Sequence, residues 1–351
     1  MLGSQIKDSM TGKEEFEVDV TVDSGIKPQI SAAVHCPSCG LHVTGGFSSC
    51  PNDGTRLMPD PTADAVLQDR YDSLELIGEG GMSAIYKARH KLMKRTVAIK
   101  LLHSRFRNNV DTMRRFQKEA EAISSLSHEN VVNVFDFGQL QHGQAYMVMN
   151  YVSGQSMADL IKRENPLELQ RALQLLLQIS SGLDHAHRKH IVHRDLKPTN
   201  VMITADESGK EKAIIVDFGI AKFLADEEGA TQGQPLTKTG DVIGSPYYMS
   251  PEQCLGRQID VRSDIYSFGC LIYESLVGKP VFMGNNSLET MHKHIKERPP
   301  TLDQMNGNPA LKPHMQAIIH KALEKEPDKR YQTIADLDHD LKIMDAALKK
   351  G

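Results

Sequence analysis

The chain reads as an α+β protein in which a two-lobed domain, strand-rich first and mainly helical afterwards, follows a small cysteine-bearing module. Three observations predict this. From Tyr71 to Leu102 the pattern runs strand, glycine turn, strand, turn, strand. Beyond the short apolar strand expected over Tyr146–Val152, the spacing turns helical, with Leu169, Ala172, Leu173, Leu176, Ile179 and Leu183 on one stripe. Ahead of both, Cys36, Cys39 and Cys50 fall in two matching turns.

The bulk properties allow this organisation and exclude others. A length of 351 residues suffices for one large domain and a small module. With 40% hydrophobic and 25% charged residues, neither wholesale disorder nor a fibrous protein is expected. Net charge is -4 and no Lys/Arg stripe interleaved with aromatics occurs, so no nucleic-acid partner is expected. Apolar runs such as Ala213–Val216 are far shorter than the ~20 residues of a membrane span, so none is expected. Met1–Lys7 is not followed by an apolar stretch, which argues against a secretory signal and for a reducing cytoplasm. Five cysteines, three of them clustered, point to metal binding rather than a disulfide framework.

The boundaries follow from composition. Residues 1–34 carry six acidic residues against three lysines and no sustained apolar period, which predicts a flexible acidic tail. The cysteine module spans 35–58. The sequence Met58-Pro59-Asp60-Pro61 opens a linker over 59–67, because two prolines remove donors and resist helix. The large domain spans 68–347, with lobes at 68–152 and 153–347. Residues 222–245 lack periodicity and are expected as a long surface loop.

Within the first lobe, Ile77-Gly78-Glu79-Gly80-Gly81-Met82-Ser83-Ala84-Ile85 is a glycine-rich turn between strands. Missing side chains there let backbone N–H groups approach phosphates. Alternation in Thr96-Val97-Ala98-Ile99-Lys100 places Ala98 and Lys100 on one face and Val97 and Ile99 on the other. Residues 111–126 have helical period, with Met113, Phe116, Ala120 and Ile123 on the apolar stripe and Glu119 at its edge. Glu119 is thereby placed to pair with Lys100 and keep it charged and fixed.

The most specific signal is the run His193-Arg194-Asp195-Leu196-Lys197-Pro198-Thr199-Asn200, followed by Asp217-Phe218-Gly219 and then Ser250-Pro251-Glu252. With these motifs in this order, the chain resembles the eukaryotic-type protein kinase family from about Tyr71 to the Arg330 region. The resemblance implies the two-lobed kinase fold, with ATP and magnesium (or manganese) as cofactors. It implies that Asp195 accepts the proton of the acceptor hydroxyl, that Asn200 and Asp217 hold the metal, and that Lys100 grips the α and β phosphates. Lys197 resembles the lysine of serine/threonine-type members, so Ser and Thr hydroxyls of proteins are the implied acceptors. Ser83 departs from the pattern, which usually has a third glycine there.

Adenine is expected between Ile85 and Ala98 above and Met202 below, with Met149 as gatekeeper and Asn150-Tyr151-Val152 as hinge. By the same resemblance Asp264 anchors the catalytic-loop backbone, Arg330 pairs with Glu252, and Ser245 bonds Asp195 and Lys197. Arg194 is a cation that awaits an anion, and Thr237 and Thr239 are candidate autophosphorylation sites, in trans within a kinase dimer. The Gly-Glu-Gly-Gly-Met-Ser loop and the Thr237-Lys238-Thr239 spacing look like bacterial Hanks-type kinases, many of which continue through a membrane helix. This chain ends near the kinase boundary, which fits either a soluble member or a removed remainder. The competing readings are a nucleotide-binding pseudokinase scaffold and an adaptor whose cysteine module recruits a partner.

Cys36-Pro37-Ser38-Cys39-Gly40 and Cys50-Pro51-Asn52-Asp53-Gly54 each resemble a zinc-ribbon knuckle. A structural Zn2+ is expected on Cys36, Cys39 and Cys50. Asp53 stands where a fourth cysteine is usual, and Asp53, His35 or His42 completes the site. A segment this short needs a metal to hold a fold.

Overall fold

The computed structural model describes residues 34–36, 41–43, 47–60, 62, 64–80, 82–107, 109–141, 143–206, 208–218, 246–302 and 309–349. Two compact units divide the chain, Met1–Asp60 and Pro61–Gly351.

In the first unit, β1 (Val34–His35) pairs antiparallel with β2 (His42–Val43) on one side and β3 (Met58–Pro59) on the other. Cys36, Cys50 and Leu57 form its small core, with Val34, Leu41 and Val43 packed on it. Pro59 belongs to β3, although 59–67 reads as linker. On an edge strand a missing N–H costs nothing where no partner faces it. Val34, read as the end of the tail, is likewise a paired strand residue.

The second unit starts earlier than expected. Helix α1 (Ala65–Arg70) is capped by Asp64, whose Oδ1 accepts the Val66 N–H at 2.9 Å. The other carboxylate oxygen accepts from Gln141 N at 3.1 Å. Leu67 anchors the helix and is fully buried. Six residues with one core side chain are too short to show a 3.6-residue period, so this helix reads as linker in the sequence.

Strands β4 (Tyr71–Glu79), β5 (Ser83–His90), β6 (Thr96–Leu102), β7 (Val134–Gln139) and β8 (Ala145–Asn150) form an antiparallel sheet in the order β4-β5-β6-β8-β7. The alternation of β6 holds. Val97, Ile99 and Leu101 enter an outer core with Leu67, Tyr71 and Val148. Ala98 and Leu102 face the main core, with Phe116, Ala120 and Ile123 of α2 (Val110–Ser124). Asn109 Oδ1 caps α2 by accepting from Thr112 N at 2.9 Å.

After β8 the chain adds β9 (Gln155–Ser156), α3 (Met157–Glu164) and α4 (Leu169–Arg188), then the β10 (Val201–Ala205) and β11 (Glu211–Ile215) hairpin. Every residue of the predicted α4 stripe is buried, and each such leucine contributes roughly 1.5–3 kcal/mol. The second lobe closes with α5 (Pro251–Cys254), α6 (Val261–Val277), α7 (Ser287–Lys296), α8 (Lys312–Ala322) and α9 (Ile334–Leu348). Helix α6 is buried around nearly its whole circumference, which makes it the axis of the lobe. Among the described residues no helix is long and apolar enough to cross a membrane.

Candidate functional site

The β4–β5 turn is held by its own backbone. Gly78 pairs with Ile85 and Glu79 with Ala84, and Gly80 N donates to Ser83 O at 2.9 Å. His103 braces it from the end of β6: its Nε2 lies 2.7 Å from Gly80 O, and its N–H donates to Met82 O at 2.8 Å. A Cβ on Gly78 would meet nothing within 4 Å, so protein packing does not require glycine there. Open space over the loop suits a ligand that approaches the backbone. Gly81 lies outside the described residues.

Beneath the turn, Lys100 Nζ lies 2.8 Å from Glu119 Oε1 of α2 and 2.8 Å from Asp217 Oδ1 beyond β11. Burial alone would lower the lysine pKa, but the Asp217 and Glu119 carboxylates outweigh it and raise it. Lys100 therefore stays an ammonium at all physiological pH. The Asp217 side chain is 39% exposed, whereas that of Glu119 is 2% exposed. The first carboxylate is thus available to a ligand, and the second serves to position the lysine.

The loop from His193 to Asn200 is fixed from below by α6. Buried Asp264 accepts the backbone N–H groups of His193 at 2.7 Å and Arg194 at 2.8 Å, and its Oδ2 lies 2.8 Å from His187 Nε2. Burial raises the pKa of Asp264, but the His187 bond, nearby His193 and the backbone donors hold it below the usual carboxylate range. Arg194 takes a left-handed backbone, φ 68°, which turns the chain between His193 and Asp195. His193 stacks on Phe218 with ring centroids 4.5 Å apart, and burial pushes its pKa down, so it is a neutral packing residue.

Above that anchor, Lys197 Nζ lies 2.8 Å from Asp195 Oδ2. Asn200 Nδ2 donates to Asp195 O at 2.9 Å and reaches Asp217 O at 3.5 Å. Asn200 thus links the two acidic segments, and with Asp217 it brings an amide and a carboxylate to one place. An oxygen pair of this kind suits magnesium or manganese.

The two lobes meet at an apolar cleft. Ala98 pairs with Met149 across β6 and β8, and both are 7% exposed. Ile85, Val152 and Met202 are half-buried, Met82 and Ile85 pack against the main core, and Ile77 and Asn150 are exposed. Below the hinge, a Cβ on Gly154 would lie 2.1 Å from Ile203 O, so only glycine lets the chain pass β10.

Farther out, Arg330 Nη1 and Nη2 meet Glu252 Oε1 and Oε2, each at 2.7 Å, as a buried bidentate pair. Ser245, Thr237 and Thr239 lie outside the described residues, as does the 222–245 loop. In the first unit, ligand atoms of Cys36, Cys50 and Asp53 lie within 4.8 Å of one another. Cys39 and the side chains of His35 and His42 lie outside the described set.

Several supporting residues escape sequence reasoning. Gln253 Nε2 donates to Arg194 O at 2.8 Å and ties α5 to the His193–Asn200 loop. His103, His187 and Gly154 act likewise through one or two contacts each. Only the spacing of Gln253 from Ser250, a capping-box pattern, could have drawn attention to one of them.

The family model described as "Protein kinase domain" matches residues 71–341. "Probable serine/threonine-protein kinase CPE1738" of Clostridium perfringens is 40% identical over 276 residues, covering 79% of this chain and 38% of that protein. Serine/threonine-protein kinase PknB of Mycolicibacterium smegmatis is 37% identical over 278 residues, covering 78% of this chain and 43% of the relative. The chain therefore spans less than half the length of these relatives. The crystal structure of the Mycobacterium tuberculosis PknI kinase domain shares the fold, with a TM-score of 0.59, 23% identity, and coverage of 78% of this chain and 96% of that one. From Tyr71 through Leu341 the chain belongs to the protein kinase domain family, with the two-lobed fold of that family.

Proposed function

We propose that this chain is an ATP- and magnesium-dependent serine/threonine protein kinase of the bacterial Hanks type, acting on protein hydroxyls in the cytoplasm. One observation carries the reading: Lys100 is shared between Glu119 and Asp217 while Lys197 and Asn200 hold Asp195. Phosphoryl transfer asks for positioning and charge stabilisation rather than covalent chemistry, and this set supplies both. Adenine would lie between Ile85 and Ala98 above and Met202 below. The backbone of Gly78–Ser83 would cover the phosphates, and Lys100 would neutralise them. Asn200 and Asp217 would hold the magnesium, which supplies charge neutralisation on the phosphates when bound. Asp195 would orient the acceptor hydroxyl and take its proton, with Lys197 beside it to offset charge on the transferred group.

Phosphorylation at Thr237 or Thr239, in trans between two copies, would place an anion opposite Arg194 and raise activity. The test is to incubate the full chain with ATP and magnesium and map phosphosites by mass spectrometry. Phosphate on either threonine in the native chain, and none in Asp195→Asn, is expected. Nucleotide binding with no phosphate transferred, even after prior phosphorylation, would leave a scaffold instead.

The first unit we read as a zinc-ribbon-like module that holds a structural Zn2+ through Cys36, Cys39, Cys50 and Asp53 and recruits a partner. Two buried sulfurs and a carboxylate converging within 4.8 Å fit zinc by donor chemistry. Metal analysis of the purified chain checks it, with about one equivalent expected.

A further inference from the structure

The same backbone bond closes each of the two cysteine segments of the first unit. Cys36 N donates to Leu41 O at 2.8 Å, and Cys50 N donates to Thr55 O at 2.7 Å, each bond closing over the same step in sequence. Gly54 N donates to Cys50 O at 2.9 Å, and Gly54 takes φ +73°, so the second turn folds back onto its first residue. In sequence, Asp53 follows Cys50 at the same spacing as Cys39 follows Cys36.

Asp53 is held as a ligand is held. Cys50 Sγ accepts from the N–H two residues on, Asn52 at 3.4 Å, and Asp53 Oδ1 accepts from the N–H two residues on, Thr55 at 2.9 Å. Such backbone donors orient a metal ligand and temper its charge. Both Asp53 carboxylate oxygens lie 3.5 Å from Cys36 Sγ, the separation expected between neighbouring ligands of one small cation.

The three ligands differ in softness and in exposure. Cys36 and Cys50 are 1% and 3% exposed, whereas Asp53 is exposed to solvent. Zinc binds thiolate more firmly than carboxylate, and of the three described ligands Asp53 is the one that solvent reaches. When the carboxylate lets go, its Oδ1 keeps the Thr55 N–H as a partner, so the departed ligand is not left uncompensated.

We infer that Asp53 is the leaving ligand of an exchangeable zinc site, which makes the first unit responsive to free zinc rather than permanently closed. The inference rests on the zinc reading above and on Cys36, Cys50 and Asp53 as placed. The step is a ligand exchange: the zinc–carboxylate bond breaks, an oxygen or nitrogen donor from solution takes its place, and zinc stays divalent throughout. Because a small metal module folds with its metal, loss of zinc also frees the two buried thiols.

The test uses the full chain carrying one equivalent of zinc, challenged with excess 4-(2-pyridylazo)resorcinol, with zinc transfer followed by absorbance. Alkylation of Cys36 and Cys50 by iodoacetamide is followed in parallel by mass spectrometry. Native protein should release zinc roughly 10-fold or more faster than Asp53→Cys, and Asp53→Asn faster still, with alkylation tracking release. Equal rates in the native and Asp53→Cys chains, or slower release from the native chain, would overturn the inference while leaving zinc binding intact. Failure of both chains to hold zinc at all would remove the zinc reading itself, and the inference with it.

Discussion

Lys100 Nζ and Asp217 Oδ1 lie 2.8 Å apart although 117 positions separate them in sequence. One residue sits within the first lobe's central strand and the other follows the last strand of the second, so the ion pair joins the two lobes. Glu119 completes the arrangement from α2. Lys100→Met removes the ammonium facing a carboxylate that is 1% exposed. Transfer activity should fall roughly 10²- to 10³-fold, and denaturant unfolding should show a loss of about 3 kcal/mol. The double variant with Glu119→Gln should regain part of that stability and none of the activity. Equal stability of the single and double variants would show that Glu119 is not strained by the loss.

The Arg330–Glu252 pair carries a parallel expectation for the second lobe. Burial works to raise the Glu252 pKa, but the Arg330 bonds overcome it and hold the pKa low. Ser263 Oγ adds a bond at 2.5 Å. Arg330→Met leaves Glu252 buried without its cation and should cost about 3–5 kcal/mol by denaturant titration. Because α5 also carries Gln253, which holds the Arg194 carbonyl, activity should fall with stability. Gln253→Ala removes that bond and the one its Oε1 accepts from Ser250 N at 2.9 Å, and should lower activity with a smaller change in unfolding midpoint than Arg330→Met.

Acid sensitivity follows from His294. Burial first, and then the charge of Lys325, lowers its pKa to about 3, and its Nδ1 lies 3.0 Å from the Tyr266 hydroxyl. The unfolded chain takes up the proton near pH 6.5 and the folded one does not until about pH 3. Protonation therefore favours unfolding as pH falls through that window, and stability is full only above it. From pH 6.5 to 5 the loss due to this group should be about 2 kcal/mol. His294→Phe should flatten the pH dependence of the unfolding free energy there, and an unchanged slope would rule the group out.

What was legible in the sequence was whatever repeats or clusters. The two-residue alternation of β6 put Ala98 and Lys100 on the cleft side and Val97 and Ile99 opposite, and the structure divides them between two cores in that way. The apolar stripe of α2 placed Glu119 inward, where it meets Lys100. Contacts made once leave no such trace. Helix α1 hangs on Leu67 and the Asp64 cap, Gly154 is required by a single carbonyl of β10, and Gln253 reaches one carbonyl of the catalytic loop. The Asp64 cap and the Ser250–Gln253 spacing are local but faint, while the partners at Gln141, Ile203 and Arg194 are distant in sequence and leave no period to read.

The most direct measurement concerns Asp195, whose carboxylate lies beside Lys197 and whose backbone carbonyl is held by Asn200. Purified Asp195→Asn carries a side chain near in size to the native one and lacks the carboxylate proposed to take the proton. With magnesium and radiolabelled ATP, phosphate transfer to Ser and Thr of a protein substrate should drop about 10²- to 10⁴-fold, while ATP affinity by calorimetry stays within a factor of about two of the native chain. Transfer by the variant at the native rate would contradict the assignment of Asp195 and, with it, the catalytic arrangement proposed here.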